Sequence, residues 1–302
     1  MPKASYKNGN TTITIDVNNG TKEMFTMDDE FDLEFPTSID FNIGNRCDGG
    51  CKFCYINASP NGIDGELLNV PLIDTLHPYT EAAINGNSID HPQLIPFLEK
   101  LKSLKVFANI TVNQIHFEKK EDLLRDLVDK ELIKGIGISL RKATPEFVAR
   151  VKKYPNAVIH TINGILTAED LEVMRDNDIK VLILGYKDLG RGVDYKQENN
   201  TLLVARQKYL YDVLPTLPAH FKVVSFDNLA LSQLNPKRFL GEKRFTEIYM
   251  GDEGSSSMFV DLVTKTYGVS SLCTPEQMHP ITNSIDEMFA QVKRDAAIGN
   301  YK

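Results

Sequence analysis

Apolar positions recur along the chain with two periods that alternate from segment to segment. Thr11 to Val17 (TTITIDV) is polar and apolar by turns, Asn18-Asn19-Gly20 carries tight-turn residues, and Thr21 to Met27 returns. That pattern predicts an N-terminal β-hairpin. The acidic stretch that follows (Asp28-Asp29-Glu30, then Asp32 and Glu34) reads as a solvated linker ending at Pro36. Beyond it, strands are expected at Ser38–Ile43, Glu81–Ile84, Val106–Val112, Ile136–Leu140, Ala157–Ile162, Val181–Leu184 and Val223–Phe226. Pro92–Leu104 reads as an amphipathic helix with Leu94, Phe97, Leu98 and Leu101 on one face, and Glu118–Leu132 as another. Thr144-Pro145-Glu146 opens a further helix, Thr167 caps one running to about Asn177, and Thr201–Leu214 completes the set.

Strand followed by helix at regular spacing argues for a parallel sheet with crossover helices. A sheet covered on both sides should have near-continuously apolar strands, and VLIL and GIGISL fit that expectation. After about Leu229 the rhythm changes. Met258–Leu262 and Lys265–Ser270 predict a hairpin across Val263-Thr264, and Ser284-Ile285-Asp286-Glu287 a capping box opening a last helix. The chain therefore divides into an N-terminal hairpin extension (1–37), a strand–helix series (38–228) and a C-terminal extension (229–302). No repeat of solenoid period and no low-complexity tract is present.

Composition narrows the partners. At 302 residues, against a prior of about 150 per domain, the length suits two domains or one large α/β barrel. The 42% hydrophobic and 25% charged content is that of a globular protein. No run approaches the ~18 apolar residues of a membrane span, so no membrane partner is expected. MPKASYKNGNTT lacks the apolar core of a secretory signal, so a cytoplasmic location is expected. A net charge of −7 without a basic stripe argues against duplex nucleic acid, though not against a local basic pocket.

The cysteines carry the sharpest signal. Three of the four, Cys47, Cys51 and Cys54, fall in one loop directly after the first strand of the series, and Cys273 stands alone. Three crowded cysteines leave one over if they pair, so metal in a reducing compartment is the better reading. A closed zinc site wants four ligands, and here the fourth would have to be the distant Cys273. An iron–sulfur cube held by three thiolates leaves one iron open to a non-protein ligand.

Cys-x₃-Cys-x₂-Cys with Phe53 just before the last cysteine, following the first strand of an α/β series, resembles the radical S-adenosylmethionine (radical SAM) superfamily. The resemblance implies an α/β fold, a partial (β/α)6 TIM-like barrel, carrying an N-terminal β-hairpin and a small C-terminal α+β extension. It implies one 4Fe–4S cluster on Cys47, Cys51 and Cys54, whose open iron chelates the amine and carboxylate of SAM. One electron then cleaves SAM to methionine and a 5′-deoxyadenosyl radical that abstracts hydrogen from a substrate. A reductase or a flavodoxin- or ferredoxin-type donor would supply the electron.

The same resemblance suggests cofactor contacts. Phe53 is expected beside the cluster and Tyr55 beside the adenine. The family's Gly-Gly-Glu-Pro stretch corresponds to Asn85-Gly86-Asn87-Ser88, then His91-Pro92, with Asn87 in the glutamate position. An amide oxygen can still accept from the SAM ammonium, without charge assistance. Asn113, Ser139, Arg141, Asn163 and Gly185 close successive strands at the rim where such barrels gather their sites. His160 is expected to be a barrel-lining histidine, the remaining histidines show no ligand spacing, and Gly190-Arg191-Gly192 reads as a flexible loop or, less strongly, an anion cradle. The hairpin ending at Cys273 resembles SPASM/twitch-type extensions without an auxiliary cluster, which makes Cys273 an inert thiol. The substrate expected first is a peptide or protein side chain, then a small metabolite or nucleotide derivative. The departure at Asn87 keeps a second class open: a cluster- and SAM-binding protein without catalysis.

Overall fold

The computed structural model describes residues 3–301. Strands β1 (Lys3–Asn8), β2 (Thr11–Asp16) and β3 (Lys22–Phe25) form an antiparallel sheet in that order. The expected hairpin is β2–β3. The strand β1 was not foreseen, because KASYKN offers only Tyr6 as a large apolar residue; pairing from Lys3–Asp16 to Asn8–Thr11 holds it in place.

The second sheet carries the parallel strands β4 (Ser38–Asn42), β5 (Glu81–Asn85), β6 (Phe107–Asn113), β7 (Gly135–Ser139), β8 (Ala157–Ile162), β9 (Lys180–Leu184) and β10 (Val223–Phe226), neighbours in chain order. Crossovers carry α1 (Leu94–Ser103), α2 (Gln114–Lys119), α3 (Glu121–Asp129), α4 (Pro145–Val151), α5 (Ala168–Met174) and α6 (Arg191–Val213). The predicted caps are present: Thr144 accepts from the Phe147 N–H and Thr167 forms a reciprocal capping box with Asp170. Two boundaries differ from expectation. Glu118–Leu132 is broken between α2 and α3 at Lys120, whose backbone is non-helical (φ −115°, ψ 25°). The helix expected from Thr201 starts at Arg191 and kinks at Asn199, which hides its periodicity.

Past β10 come three short helices the pattern did not signal, α7 (Asn228–Leu234), α8 (Lys237–Leu240) and α9 (Glu242–Ile248). The predicted hairpin follows as β11 (Ser257–Asp261) and β12 (Thr266–Gly268), then β13 (His279–Pro280) and α10 (Ile285–Ala297), whose Ser284 cap accepts from the Glu287 N–H. β11 runs parallel to β4, pairing Ser257 with Ser38 through Asp261 with Asn42, so the C-terminal hairpin extends the main sheet to ten strands.

The strands are not continuously apolar. Ile39 and Phe41, Ala82 and Ile84, Ile110 and Val112, Ile136 and Ile138 and Ile159 are buried under the helices, where Phe41 meets Phe97 edge to face at 6.3 Å. The alternate positions are Asp40, Glu81, Asn109, Thr111, Gly137 and His160, and these are half-buried or open. This two-residue alternation means that only one face of the sheet is core. The other face lines a cavity. Asp40 of β4, Asp227 after β10 and Phe259 of β11 share one small cavity. Six inter-strand steps of about 4.8 Å would separate β10 from β4 by about 29 Å on a flat sheet, so the sheet is cupped around its polar face. β10 and β13 remain its edges.

Candidate cysteine-loop site

The loop after β4 is closed at its base before it presents a cysteine. The Cys47 N–H donates to the Ser59 carbonyl (2.8 Å) and the Ser59 N–H to the Asn45 carbonyl (3.0 Å), while Arg46 pairs with Asp64. A Cβ on Gly62 would sit 2.0 Å from the Asn45 oxygen, so only glycine permits this closure. Cys47, Cys51 and Cys54 are free and half-buried.

One bond within the loop and three residues from outside it hold the cysteines in place. The Cys47 sulfur accepts from the Gly49 N–H (3.3 Å), and the Cys51 sulfur from Asn113 Nδ2 (3.3 Å). Asn113 is fixed because its Oδ1 caps α2 by accepting from the Ile115 N–H (3.1 Å). Arg141, just past β7, donates to the Gly49 carbonyl. Arg191 opens α6 and donates its N–H to the Cys54 carbonyl and its Nε to the Cys51 carbonyl, each at 3.0 Å. The Gly190-Arg191-Gly192 segment is therefore a clamp on the cysteine loop, where sequence suggested a flexible loop or an anion cradle.

Burial pushes the Cys47 and Cys51 thiols up, and neighbouring thiols add to this. The Arg141 and Arg191 guanidiniums and the Asn113 donor pull Cys51 back. Thiolates here thus want a positively charged guest. Among the described residues, the set of three ligand atoms lying within 4.8 Å of one another is Cys47, Asp48 and His116, and the three cysteine sulfurs do not form such a set. One tetrahedral ion with bonds of about 2.3 Å needs sulfurs about 3.8 Å apart. The donor set, three thiols on one loop, is that of a polynuclear group with one cysteine per metal.

His116 was expected to have no part here. It is buried on α2, its Nε2 lies 2.5 Å from Asp48 Oδ1, and this bond holds Asp48 below the usual carboxylate range. The signal was absent from sequence spacing because β6 and α2 deliver His116 to the loop from a separate crossover.

The other expected residues divide in two. Gly86, with φ +94°, is packed so that a Cβ would stand 2.6 Å from the Gly44 carbonyl, which seats the Asn85–Asn87 turn against the base of the loop. Asn87 Nδ2 donates to Asp90 (2.9 Å) and its Oδ1 has no partner. Ser139 ends β7 level with Asn113 and His160 on the flanking strands. Phe53 meets Tyr195 of α6 edge-on at 5.7 Å, and Tyr55 lies under the Lys187 ammonium at 4.0 Å. Asn163 and Gly185, in contrast, are engaged by α7. Asn163 donates to Gln233 (2.9 Å), and a Cβ on Gly185 would stand 2.3 Å from Leu229 Cγ. His160 lies on the polar face against Gly137, where burial pushes its imidazole down to about 4. Cys273 packs against the core beside Gly268.

Asp40, Asp227 and Glu253, which no sequence motif marks, line one cavity of about 60 Å³ together with Lys187 at the end of the sixth strand of the series. The signal for Asp40 was the polar residue alternating inside SIDFN; Asp227 and Glu253 lie in loops that carry no motif.

No protein-family model matches the chain, and no curated protein matches it in sequence. Its fold is shared with solved structures of SuiB from Streptococcus suis. SuiB bound to S-adenosylmethionine aligns with a TM-score of 0.58 at 14% identity, over 88% of this chain and 68% of SuiB. A second SuiB structure gives 0.57 at 11%, over 99% of this chain and 87% of that one. SuiB bound to the precursor peptide SuiA gives 0.50 at 13%, over 90% and 66%.

Proposed function

We propose that this chain is a radical SAM enzyme that acts on a peptide or protein side chain. The observation that carries the reading is the cysteine loop: three half-buried thiols on the first loop of a cupped parallel sheet. The shared fold with SuiB, solved with S-adenosylmethionine and with a precursor peptide, supports both cofactor and substrate class. In this reading residues 38–228 are the partial (β/α)6 barrel, flanked by the 1–37 and 229–302 extensions. Cys47, Cys51 and Cys54 hold one 4Fe–4S cluster.

When bound, the cluster supplies the electron that cleaves SAM to the hydrogen-abstracting 5′-deoxyadenosyl radical. The protein's own groups position and tune. Asn113, fixed by its cap, presents an N–H to the Cys51 sulfur and stabilises negative charge there. Arg141 and Arg191 hold the loop's carbonyls and place two guanidiniums beside Cys51. Asn87 offers an unpartnered amide oxygen for the SAM ammonium, alongside Asn85 and Gly86. Phe53 and Tyr55 flank the cluster and the adenine, and Ser139 and Arg141 face the ribose and carboxylate. Asn163 and Gly185 support this rim through α7. A flavodoxin- or ferredoxin-type protein or a reductase delivers the electron, in the cytoplasm. No helix among the described residues is long and apolar enough to cross a membrane.

The test is anaerobic reconstitution with iron and sulfide. Roughly four irons per wild-type chain are expected, with SAM binding in equilibrium dialysis, and loss of both in Cys47→Ala, Cys51→Ala and Cys54→Ala. Stoichiometric zinc without iron would overturn the assignment.

A further inference from the structure

We propose that the cupped face of the sheet receives a cationic side chain of the substrate, an amine or a guanidinium, with Asp40 and Glu253 as its counter-ions. The proposal rests on the reading of this face as the substrate side of a radical SAM site.

The first observation is the shape of the space. The small cavity of about 60 Å³ is lined by Asp40, Asp227, Glu253 and Lys187. It shares Lys187, Leu229 and Leu272 with a larger cavity of about 390 Å³, walled by α6 and α7 through Leu203, Gln207 and Gln233. The two adjoin at these residues, the larger on the α6 side and the smaller at the carboxylates. The smaller has room for a polar head group of a few heavy atoms, and the larger for a stem and the backbone that carries it.

The second observation is that the carboxylates have nothing to bind. Asp227 is already used, because its Oδ1 accepts from the Gly185 N–H (2.8 Å) and the Ala230 N–H (2.7 Å). The carboxylates of Asp40 and Glu253 make no hydrogen bond or ion pair among the described residues. Asp40 stands on the cupped face of β4 with its side chain open into this space. The one ammonium at the site is turned elsewhere. Lys187 Nζ donates to Ser271 Oγ (2.7 Å) and lies over the Tyr55 ring at 4.0 Å, with no carboxylate oxygen of the described residues within ion-pair distance. Three carboxyls therefore face one cation that touches none of them. Burial, with mutual repulsion, pushes Asp40 up to about 6 and Glu253 up to about 7. An internal ion network would have paired these groups; unpaired, they weaken the fold and are available to a guest.

The third observation is position. Tyr55 follows Cys54 in the chain, and its ring contacts Lys187, a wall residue of both cavities. A cation seated between Asp40 and Glu253 is thus separated from the cysteine loop by Lys187 and Tyr55. Its stem extends toward the α6 side.

The experiment is a ligand-observed NMR titration of the anaerobically purified chain, with and without reconstituted cluster. The probes are the acetylated methylamides of lysine, arginine, norleucine and glutamate. The lysine and arginine probes should bind at least roughly tenfold more tightly than norleucine, the change expected from one charge-assisted hydrogen bond. Asp40→Asn/Glu253→Gln should erase that preference while melting at or above the wild-type temperature. Equal binding of norleucine, preference for glutamate, or no binding of either cationic probe would overturn the proposal. So would a double variant that melts lower, because the carboxylates would then be structural. The titration needs no SAM turnover. Cation preference without SAM cleavage sinks the enzymatic reading alone, and SAM cleavage without cation preference sinks this proposal alone.

Discussion

Replacing Gly190 with alanine isolates the contact by which α6 positions the cysteine loop. Gly190 is the N-cap of α6 with φ 52° and ψ −135°, a region essentially reserved for glycine. Forcing alanine there costs about 1–3 kcal/mol in backbone strain. A second cost is specific to this site: the new Cβ would lie 2.4 Å from the Tyr55 carbonyl oxygen, 2.8 Å from its carbon and 2.9 Å from Asn57 Oδ1. Two of these atoms are backbone, so relief requires Tyr55 to move, and Cys54 with it. Gly241 supplies the control. It also caps a helix with positive φ (77°), yet a Cβ there meets nothing within 4 Å. Unfolding entropy near 2.1 cal/mol/K per residue gives roughly 0.6 kcal/mol/K for this chain, so strain alone lowers Tm by about 2–5 °C. Gly241→Ala should show that loss in differential scanning calorimetry and keep full iron after reconstitution. Gly190→Ala should melt lower still and retain half the iron or less. Equal melting temperature and equal iron in the two variants would refute the claim that α6 sets the loop.

Three further outcomes are expected. Asn113→Ser should retain a cap on α2 where Asn113→Ala loses about 1 kcal/mol of stability, while both lose the N–H to the Cys51 sulfur and shift the cluster potential to more negative values in a spectroelectrochemical titration; an unshifted potential would remove this bond from the account. Asn87→Ala should leave iron unchanged but weaken SAM binding in equilibrium dialysis by roughly tenfold or more, and unaltered affinity would exclude the amide from the site. Asp40 and Glu253 face Glu81, Asp227, Asp252 and Lys187, and their folded values of about 6 and about 7 exceed the ordinary ones, so the fold binds protons that the unfolded chain releases. The wild type should therefore close its stability deficit against Asp40→Asn/Glu253→Gln as pH falls from 8 to 5, and a pH-independent gap in chemical denaturation would contradict this. His160 opposes the trend equally in both proteins, since its folded value of about 4 lies below 6.5 and stability is lost as pH falls between them.

What was legible in the sequence follows from locality. The Cys47–Cys54 spacing, the order of strands and helices and the Thr144, Thr167 and Ser284 caps are each written in a few adjacent residues. The polar lining of the sheet was also written there, in SIDFN, EAAIN and NITVN. It was misread because a parallel sheet was expected to be buried on both faces. His116 and Glu253 could not be placed, since only the sheet's curvature and the crossovers bring them to their partners. β1 and the short helices α7 to α9 escaped for a different reason: β1 is held by its pairing with β2, α7 is only seven residues long, and α8 and α9 bury no residue and so carry no apolar face. Gly190 to Gly192 shows the same limit, as the residues suggested flexibility and only the fold reveals the clamp.

The central claim is that the loop at Cys47–Cys54 arms a SAM-cleaving cluster. Its most direct test is chromatographic measurement of 5′-deoxyadenosine after strong reduction of the reconstituted chain with SAM under anaerobic conditions. The account predicts 5′-deoxyadenosine and methionine in equal amounts, abolished by alanine at Cys47, Cys51 or Cys54 and preserved in Cys273→Ser. A cluster shown to be reduced while bound SAM stays intact would contradict it.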